Sequence, residues 1–229
     1  MAGDTPLDRL FEAIRSHDLA KVDEVVSEHP DVLNQRSAQG ISPLSWAAYL
    51  GQQPVVEALR VKRGAPDFYE ACIVGDEGSV QAALAAGQDV NAFAPDGFTP
   101  VGLAAFFRHP GIVKHLIDAG ADVNLRSRNA QSVGPLHAAA ARSDIEIIEL
   151  LLLRGADPNL PQEKLARPLH SAAANGSTVA VALLLMYGAD PNALTADGER
   201  PADLAKKKGH ALAARLEAIA AAQMAANAK

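Results

Sequence analysis

Residues 163–192 read EKLARPLHSAAANGSTVAVALLLMYGADPN and hold one complete unit of a repeating pattern. Pro168 begins a short Ala-rich segment, where proline is favourable because the first N–H of a helix has no intrahelical partner. A turn follows, and a second, bulkier apolar segment ends at Gly188, a residue suited to a left-handed helix cap. The stretch therefore predicts two short helices followed by an extended loop.

The same unit recurs along nearly the whole chain. Prolines that begin the first helix stand at Pro43, Pro100, Pro135, Pro168 and Pro201, and the last four are separated by 35, 33 and 33 residues. Glycines that close the second helix stand at Gly64, Gly87, Gly120, Gly155 and Gly188, separated by 23, 33, 35 and 33 residues. Because one helix pair cannot bury its apolar face alone, this period predicts a stack of pairs with a continuous core.

These residues resemble the ankyrin repeat family. Its helix-starting TPLHxAA motif is matched at Thr99-Pro100, at Pro135-Leu136-His137 and at Pro168-Leu169-His170, and its GADxN motif follows the second helix three times. The resemblance covers about residues 5 to 220. It implies an all-α, ankyrin-type solenoid of stacked helix-turn-helix units with β-turn fingers, about seven helix pairs including two caps. It also implies that His137 and His170 are structural residues that hold the loops together through hydrogen bonds.

The expected organisation is one solenoid domain with seven parts. These are an N-terminal capping repeat (1–38), repeat 2 (39–66), a shortened repeat 3 that lacks its finger (67–91), repeat 4 (92–126), repeat 5 (127–160), repeat 6 (161–193), and a C-terminal capping repeat with its tail (194–229). The interval of 23 residues between Gly64 and Gly87 indicates the missing finger. Aligning repeat 3 on Gly75 puts Asp67 at the proline position and Cys72 at the second alanine. Cys72 is therefore expected to be a small buried residue and not a nucleophile.

Composition and motifs argue against several other classes. With 21 Lys and Arg against 27 Asp and Glu, the formal charge is −6, which disfavours nucleic-acid binding. The first ten residues lack a secretory signal, and no apolar run approaches the roughly 18 residues of a membrane span. A single cysteine favours a reducing compartment, and we expect a cytoplasmic protein. No phosphate, dinucleotide, metalloprotease or hydrolase motif is present, and the seven histidines lack a ligand spacing, so we expect no enzyme, cofactor or metal.

The resemblance also directs attention to a partner surface, because ankyrin-like stacks bind partners through finger tips and the exposed ends of first helices. At these positions, repeats 2–4 carry apolar residues and later repeats carry polar ones, and eight of the ten aromatic residues fall within 46–107. Aromatic anchors of this kind are typical of interfaces. We therefore expect a protein partner of unknown identity in the concave groove, mainly in repeats 2–4. The candidate partner-binding residues are Ile41, Tyr49, Leu50, Ile73, Val74, Phe98, Phe106, Phe107 and Arg142.

Two alternatives stay open at this point. In the first, the bulky residues fill the gap left by the missing finger and have only a structural role. In the second, the chain is a small-ligand-binding or enzymatic protein with a pocket at the missing finger. A monomer is expected, although an aromatic patch also suits self-association. Adaptor, enzyme inhibitor and protein delivered into another cell are all compatible with a non-catalytic interaction module.

Overall fold

The computed structural model describes residues 5–227, and this part of the chain holds fourteen α-helices and no β-strand. The helices are α1 (Pro6–Arg15), α2 (Leu19–Glu28), α3 (Pro43–Tyr49), α4 (Gln53–Arg63), α5 (Phe68–Val74), α6 (Glu77–Ala85), α7 (Pro100–Phe106), α8 (Pro110–Asp118), α9 (Pro135–Ala141), α10 (Ile145–Leu153), α11 (Pro168–Ala174), α12 (Thr178–Met186), α13 (Pro201–Lys207) and α14 (Leu212–Asn227). Short 3-10 helices span Pro30–Asn34 and Glu163–Leu165. The predicted all-α class with seven helix pairs is confirmed.

The chain forms two compact units. Unit 1 is Met1–Asp89 together with Ala94–Asp96, and unit 2 is Val90–Phe93 together with Gly97–Lys229. Within the described residues, unit 1 therefore contains α1 to α6 and unit 2 contains α7 to α14. The repeat boundaries expected from the sequence stay predictions.

Unit 1 is built from three helix pairs. The first helices of the pairs pack in order, α1 on α3 and α3 on α5, and each packs on its own second helix. Leu10, Ile14 and Leu59 are fully buried between them, and Ala47 lies at the close contact within the same core. Ala47 allows a close contact on a first helix, and branched side chains from both first and second helices fill the rest of this core.

Unit 2 repeats the same packing over four pairs. Helices α7, α9, α11 and α13 pack side by side in chain order, and α8, α10 and α12 form a second row. Alanines such as Ala104, Ala139 and Ala172 lie between the first helices and have no exposed surface. Alanine is suited to these positions because a larger side chain would keep the helices apart. Leu184 on α12 is also fully buried.

The fingers of unit 2 are joined by backbone hydrogen bonds. The N–H of Arg128 donates to the carbonyl oxygen of Gly97 at 2.9 Å, and the N–H of Ala196 donates to that of Lys164 at 2.7 Å. The N–H of Glu163 donates to the carbonyl oxygen of Gln131 at 3.0 Å. Neighbouring fingers therefore satisfy each other's peptide groups although they form no strand among the described residues.

The asparagine that ends each GADxN motif makes equivalent hydrogen bonds in successive repeats. The amide nitrogens of Asn124 and Asn159 donate to the carbonyl oxygens of Gly155 and Gly188, at 3.1 and 2.8 Å. Their amide oxygens accept the N–H of the following pair's aspartate, at 2.8 Å in both cases. One asparagine side chain thus satisfies two backbone groups just beyond the end of the next second helix. We call this series of contacts in unit 2 the asparagine ladder.

The start of α5 corrects the predicted register of repeat 3. Asp67 is the N-cap, and its carboxylate accepts the N–H groups of Tyr69 and Glu70 at 3.0 Å, so the helix begins one residue later, at Phe68. The alignment on Gly75 was wrong by one residue because Gly75 is itself the C-cap of α5, whereas in α3 and α11 another residue precedes the glycine.

The corrected register moves Cys72 and Ile73 relative to the alanine pair of the other first helices. Cys72 now falls at the first alanine position and Ile73 at the second. Cys72 has no exposed surface, and burial raises the pKa of its thiol to about 12. Cys72 is therefore an inert core residue, as the sequence predicts.

Candidate functional site

The predicted partner-binding residues of unit 1 differ widely in exposure. Leu50 is 39% exposed, while Ile41, Tyr49 and Val74 are partly buried. Ile73 is only 4% exposed, so its side chain offers almost no surface to a partner. The expectation for Ile73 is corrected here, and its cause is the register of α5, which turns Ile73 into the core.

Tyr49 is engaged within its own unit. Its hydroxyl donates to the carboxylate of Asp96 at 2.9 Å, and burial, reinforced by that carboxylate, raises the pKa of the hydroxyl far above its ordinary value. Nearby, a Cβ placed on Gly40 would lie 2.4 Å from the carbonyl oxygen of Pro95. Residues 94–96 therefore lie directly against the turn that contains Gly40. Tyr49 anchors this segment, which favours the structural alternative for that residue.

An ionic network centred on the buried Glu70 lies beside the short connection between α4 and α5, residues 64–67. Glu70 has no exposed surface, and its carboxylate accepts the hydroxyl of Ser42 at 2.6 Å and the N–H of Asp67 at 3.0 Å. The same carboxylate forms an ion pair with Arg63, and Asp67 forms one with Arg36. Every carboxylate of the network thus has a cation or a hydrogen-bond donor, which a buried charge requires.

Sequence reasoning missed the two central members of this network. Glu70 follows the N-cap Asp67 at the capping-box spacing, so that local pattern could have identified it. Nothing local identifies Arg63, whose pKa is lowered chiefly by burial. Since both residues take part in folding contacts of unit 1, we assign the network a structural role.

In unit 2, three predicted residues lie together. The rings of Phe106 and Phe107 meet edge to face with their centroids 5.2 Å apart, and the guanidinium carbon of Arg142 lies 5.2 Å from the centroid of Phe106. Both arrangements are favourable aromatic geometries. Phe106 and Phe107 are partly buried and Arg142 is exposed, so the group presents an aromatic and cationic surface. We call Phe106, Phe107 and Arg142 the Phe106 cluster. Phe98, on the preceding finger, is partly buried.

The Phe106 cluster lies at one end of a row of helix caps. The C-cap residues of α7, α9, α11 and α13 are Phe107, Arg142, Asn175 and Lys208 in that order. Because these helices pack side by side, the row changes from aromatic to basic and polar along unit 2. Asn175 also donates to the carbonyl oxygen of Ala141 at 2.9 Å, which links neighbouring caps. We call these four residues the cap row.

The two motif histidines are structural. Nε2 of His170 lies 3.1 Å from the carbonyl oxygen of Ala193, and its Nδ1 accepts the N–H of Arg167. Nε2 of His137 lies 3.3 Å from the carbonyl oxygen of Ala166. Burial lowers the pKa of His137 to about 4 and also lowers that of His170. Both rings are therefore neutral near pH 7 and donate from Nε2 to loop carbonyls, as the family resemblance implies.

Among residues 5–227, no three His, Cys, Asp or Glu side chains lie close enough together to hold a metal ion. None of the helices in the same range combines the length and apolar character needed to cross a membrane.

Short helix pairs, alanine contacts between first helices and bonded fingers define a repeat protein built from stacked helix pairs. The chain belongs to the ankyrin repeat family. The family model described as ankyrin repeats in three copies matches residues 10–127, 68–162 and 136–218, which together reach from the first helix to the last.

Similar proteins include members from animals, yeast and bacteria. Ankyrin repeat and SAM domain-containing protein 6 of Rattus norvegicus is 28% identical over 142 residues, 62% of this chain and 13% of that protein. Probable 26S proteasome regulatory subunit p28 of Saccharomyces cerevisiae is 28% identical over 156 residues, 62% of this chain and 68% of that protein. Putative ankyrin repeat protein YahD of Escherichia coli is 29% identical over 101 residues, 44% of this chain and 49% of that protein. The chain thus spans only a small part of the rat protein.

Proposed function

We propose that this chain is a non-catalytic adaptor that binds a segment of another protein through the cap row of unit 2. Ankyrin repeats are generally protein–protein interaction modules, and the family match covers most of the chain. The observation that carries the proposal is the Phe106 cluster, which presents two phenylalanine rings and an exposed guanidinium at the ends of α7 and α9. The name of the yeast relative, a regulatory subunit of the 26S proteasome, is consistent with a protein partner.

The cap row defines the chemistry of the partner segment. Phe107 offers an apolar contact at one end, and partly buried aromatic residues are frequent anchors of interfaces. Arg142 stacks on Phe106 with its guanidinium, which leaves edge N–H groups for a carboxylate of the partner. Lys208 adds a second positive charge at the other end of the row. The expected partner segment therefore carries an apolar side chain followed by acidic residues.

In unit 1, Leu50, with Ile41 and Val74, supplies the surface available to a partner, while Tyr49 holds residues 94–96. We propose a cytoplasmic monomer without a cofactor. The chain has a single cysteine, Cys72, and therefore forms no internal disulfide, which is consistent with a reducing compartment.

Two substitutions in the cap row test the proposal. Arg142→Glu and Phe107→Ser should each abolish capture of the partner from a lysate of the source cells, while binding survives in Arg215→Glu, a matched charge reversal at an exposed position on α14. Melting temperatures of all variants separate folding from binding. Unchanged capture by folded Arg142→Glu and Phe107→Ser variants would refute the cap row as the binding surface.

A further inference from the structure

A cavity of about 380 Å³ that is open to solvent on one side lies at the surface of unit 1, between α1 and the turn that precedes α3. Its size is at the lower end of the roughly 300–1,000 Å³ typical of ligand sites, so it suits one or two side chains. Two aromatic rings line it, those of Phe11 and Trp46, with centroids 5.9 Å apart and planes inclined by 39°. The rest of the lining is Asp8, Glu12, Arg15, Ser37, Gln39 and Ile41.

The carboxylates of the cavity retain capacity for a ligand. Asp8 accepts the N–H and hydroxyl of Thr5, but both bonds fall on Oδ2, which leaves Oδ1 without a hydrogen bond from the described residues. Glu12 pairs with Arg15 on the same helix, and both side chains are more than half exposed. Exposed pairs of this kind contribute little, so a second cation can share Glu12 at small cost.

Charge complementarity selects the occupant. Two carboxylates against the single guanidinium of Arg15 leave the lining with a net charge of −1. The rings of Phe11 and Trp46 line the same cavity, and the face of an aromatic ring attracts cations. An acidic side chain meets repulsion here, and a neutral aliphatic one gains nothing from the carboxylates.

We propose that this cavity binds an arginine side chain of the protein segment that the module engages. A planar guanidinium stacks on the aromatic rings and pairs with a carboxylate through its edge, which a lysine ammonium cannot do as well. Gln39, which also lines the cavity, has an amide that can hydrogen-bond the adjacent peptide backbone, and the Ser37 hydroxyl, which already accepts the N–H groups of Gln39 and Ile41, can still donate to it. This inference rests on the proposed protein-binding function, but it concerns a separate surface from the cap row.

Trp46 makes the proposal directly measurable, because it is the only tryptophan of the chain. Its indole N–H therefore gives a single signal in a 1H–15N correlation spectrum of the full chain. We would titrate the protein with acetylated and amidated pentapeptides of sequence Gly-Ser-Xaa-Ser-Gly, where Xaa is arginine, lysine, norleucine or glutamate. The arginine peptide should shift the indole signal saturably and most strongly, the lysine peptide more weakly, and the other two not at all.

Variants of the lining identify the source of the binding. Glu12→Gln and Phe11→Leu should each weaken the arginine peptide roughly two- to five-fold, the effect of losing one exposed ion pair or one cation–π contact. The matched control is Glu24→Gln on α2, which also removes a carboxylate from an i,i+3 pair but lies outside the cavity. Its affinity should equal that of the unchanged protein.

Three results would overturn the proposal. They are an indole signal that does not respond to the arginine peptide, a norleucine peptide that binds as well as the arginine peptide, and equal affinities in Glu12→Gln, Phe11→Leu and the unchanged protein. If the titration fails while Arg142→Glu still abolishes partner capture, only the cavity proposal falls. If the titration succeeds while Arg142→Glu leaves capture intact, only the cap row falls.

Discussion

Replacement of Gly40 by alanine is expected to destabilise the protein far more than the same replacement at Gly198. Both glycines have positive φ angles, 78° and 75°, and each precedes by a few residues the first helix of its pair. An alanine in this left-handed region costs about 1–2 kcal/mol. Alanine also reduces the entropy of the unfolded chain by a similar amount in both variants, so this contribution cancels in the comparison.

The surroundings of the two positions differ. A Cβ on Gly198 would have no heavy atom within 4 Å, whereas one on Gly40 would lie 2.4 Å from the carbonyl oxygen and 2.5 Å from the carbonyl carbon of Pro95. Those atoms belong to the backbone and cannot rotate away, and overpacking of this kind costs about 1–3 kcal/mol more. Gly40→Ala should therefore lose about 2–5 kcal/mol and Gly198→Ala about 1–2 kcal/mol.

Hydrogen exchange measured by mass spectrometry is the appropriate assay, because repeat proteins do not always unfold in two states. In Gly40→Ala, peptides that contain residues 37–41 and 94–96 should exchange much faster than in the unchanged protein. In Gly198→Ala, the acceleration should be small and confined to residues near 195–199. Equal losses of protection in the two variants would refute the argued contact between Gly40 and Pro95.

Two other predictions concern buried charges. Arg63→Met leaves the carboxylate of Glu70 buried without its cation and should destabilise unit 1 by about 3–5 kcal/mol, measured by the same hydrogen-exchange assay. The double variant Arg63→Met, Glu70→Gln should recover part of that loss, and no recovery would contradict the pairing. The pKa of His137 falls from 6.5 to about 4 on folding, so the unfolded chain binds the proton more tightly. Stability should be constant above about pH 6.5 and decline towards pH 4 by about 3 kcal/mol, with His170 acting in the same direction. His137→Gln should flatten this decline, and an equally steep decline in that variant would disprove the assignment.

Local spacing predicted the helices correctly because it depends on neighbouring residues. Proline at the first helical position and glycine after the second helix recur with the period of one unit, and each acts within its own turn. The same local reasoning failed at Gly75, where the glycine caps α5 one residue earlier than in other repeats. That single step moved Ile73 from the predicted surface into the core.

Contacts between residues far apart in the chain could not be predicted from the sequence. The bond from Tyr49 to Asp96 joins positions 47 residues apart, and no pattern near either residue indicates it. The aromatic enrichment of residues 46–107 was visible in the sequence. Which of these aromatic side chains are buried, which hold another segment in place and which are exposed depends on tertiary packing. The cavity beside Trp46 went unnoticed for the same reason, since its walls come from two separate stretches of unit 1.

The asparagine ladder has a direction, and this direction constrains how the length of unit 2 can change. Each asparagine serves the backbone of the pair that follows it, and the last, Asn192, donates to the carbonyl oxygen of Ala220 in α14. Insertion or loss of one complete unit reconnects every amide with an equivalent acceptor. A partial unit loses these hydrogen bonds at one helix end, and each bond contributes about 0.5–1.5 kcal/mol. Unit 2 can therefore grow or shrink at low energetic cost only in steps of a whole repeat.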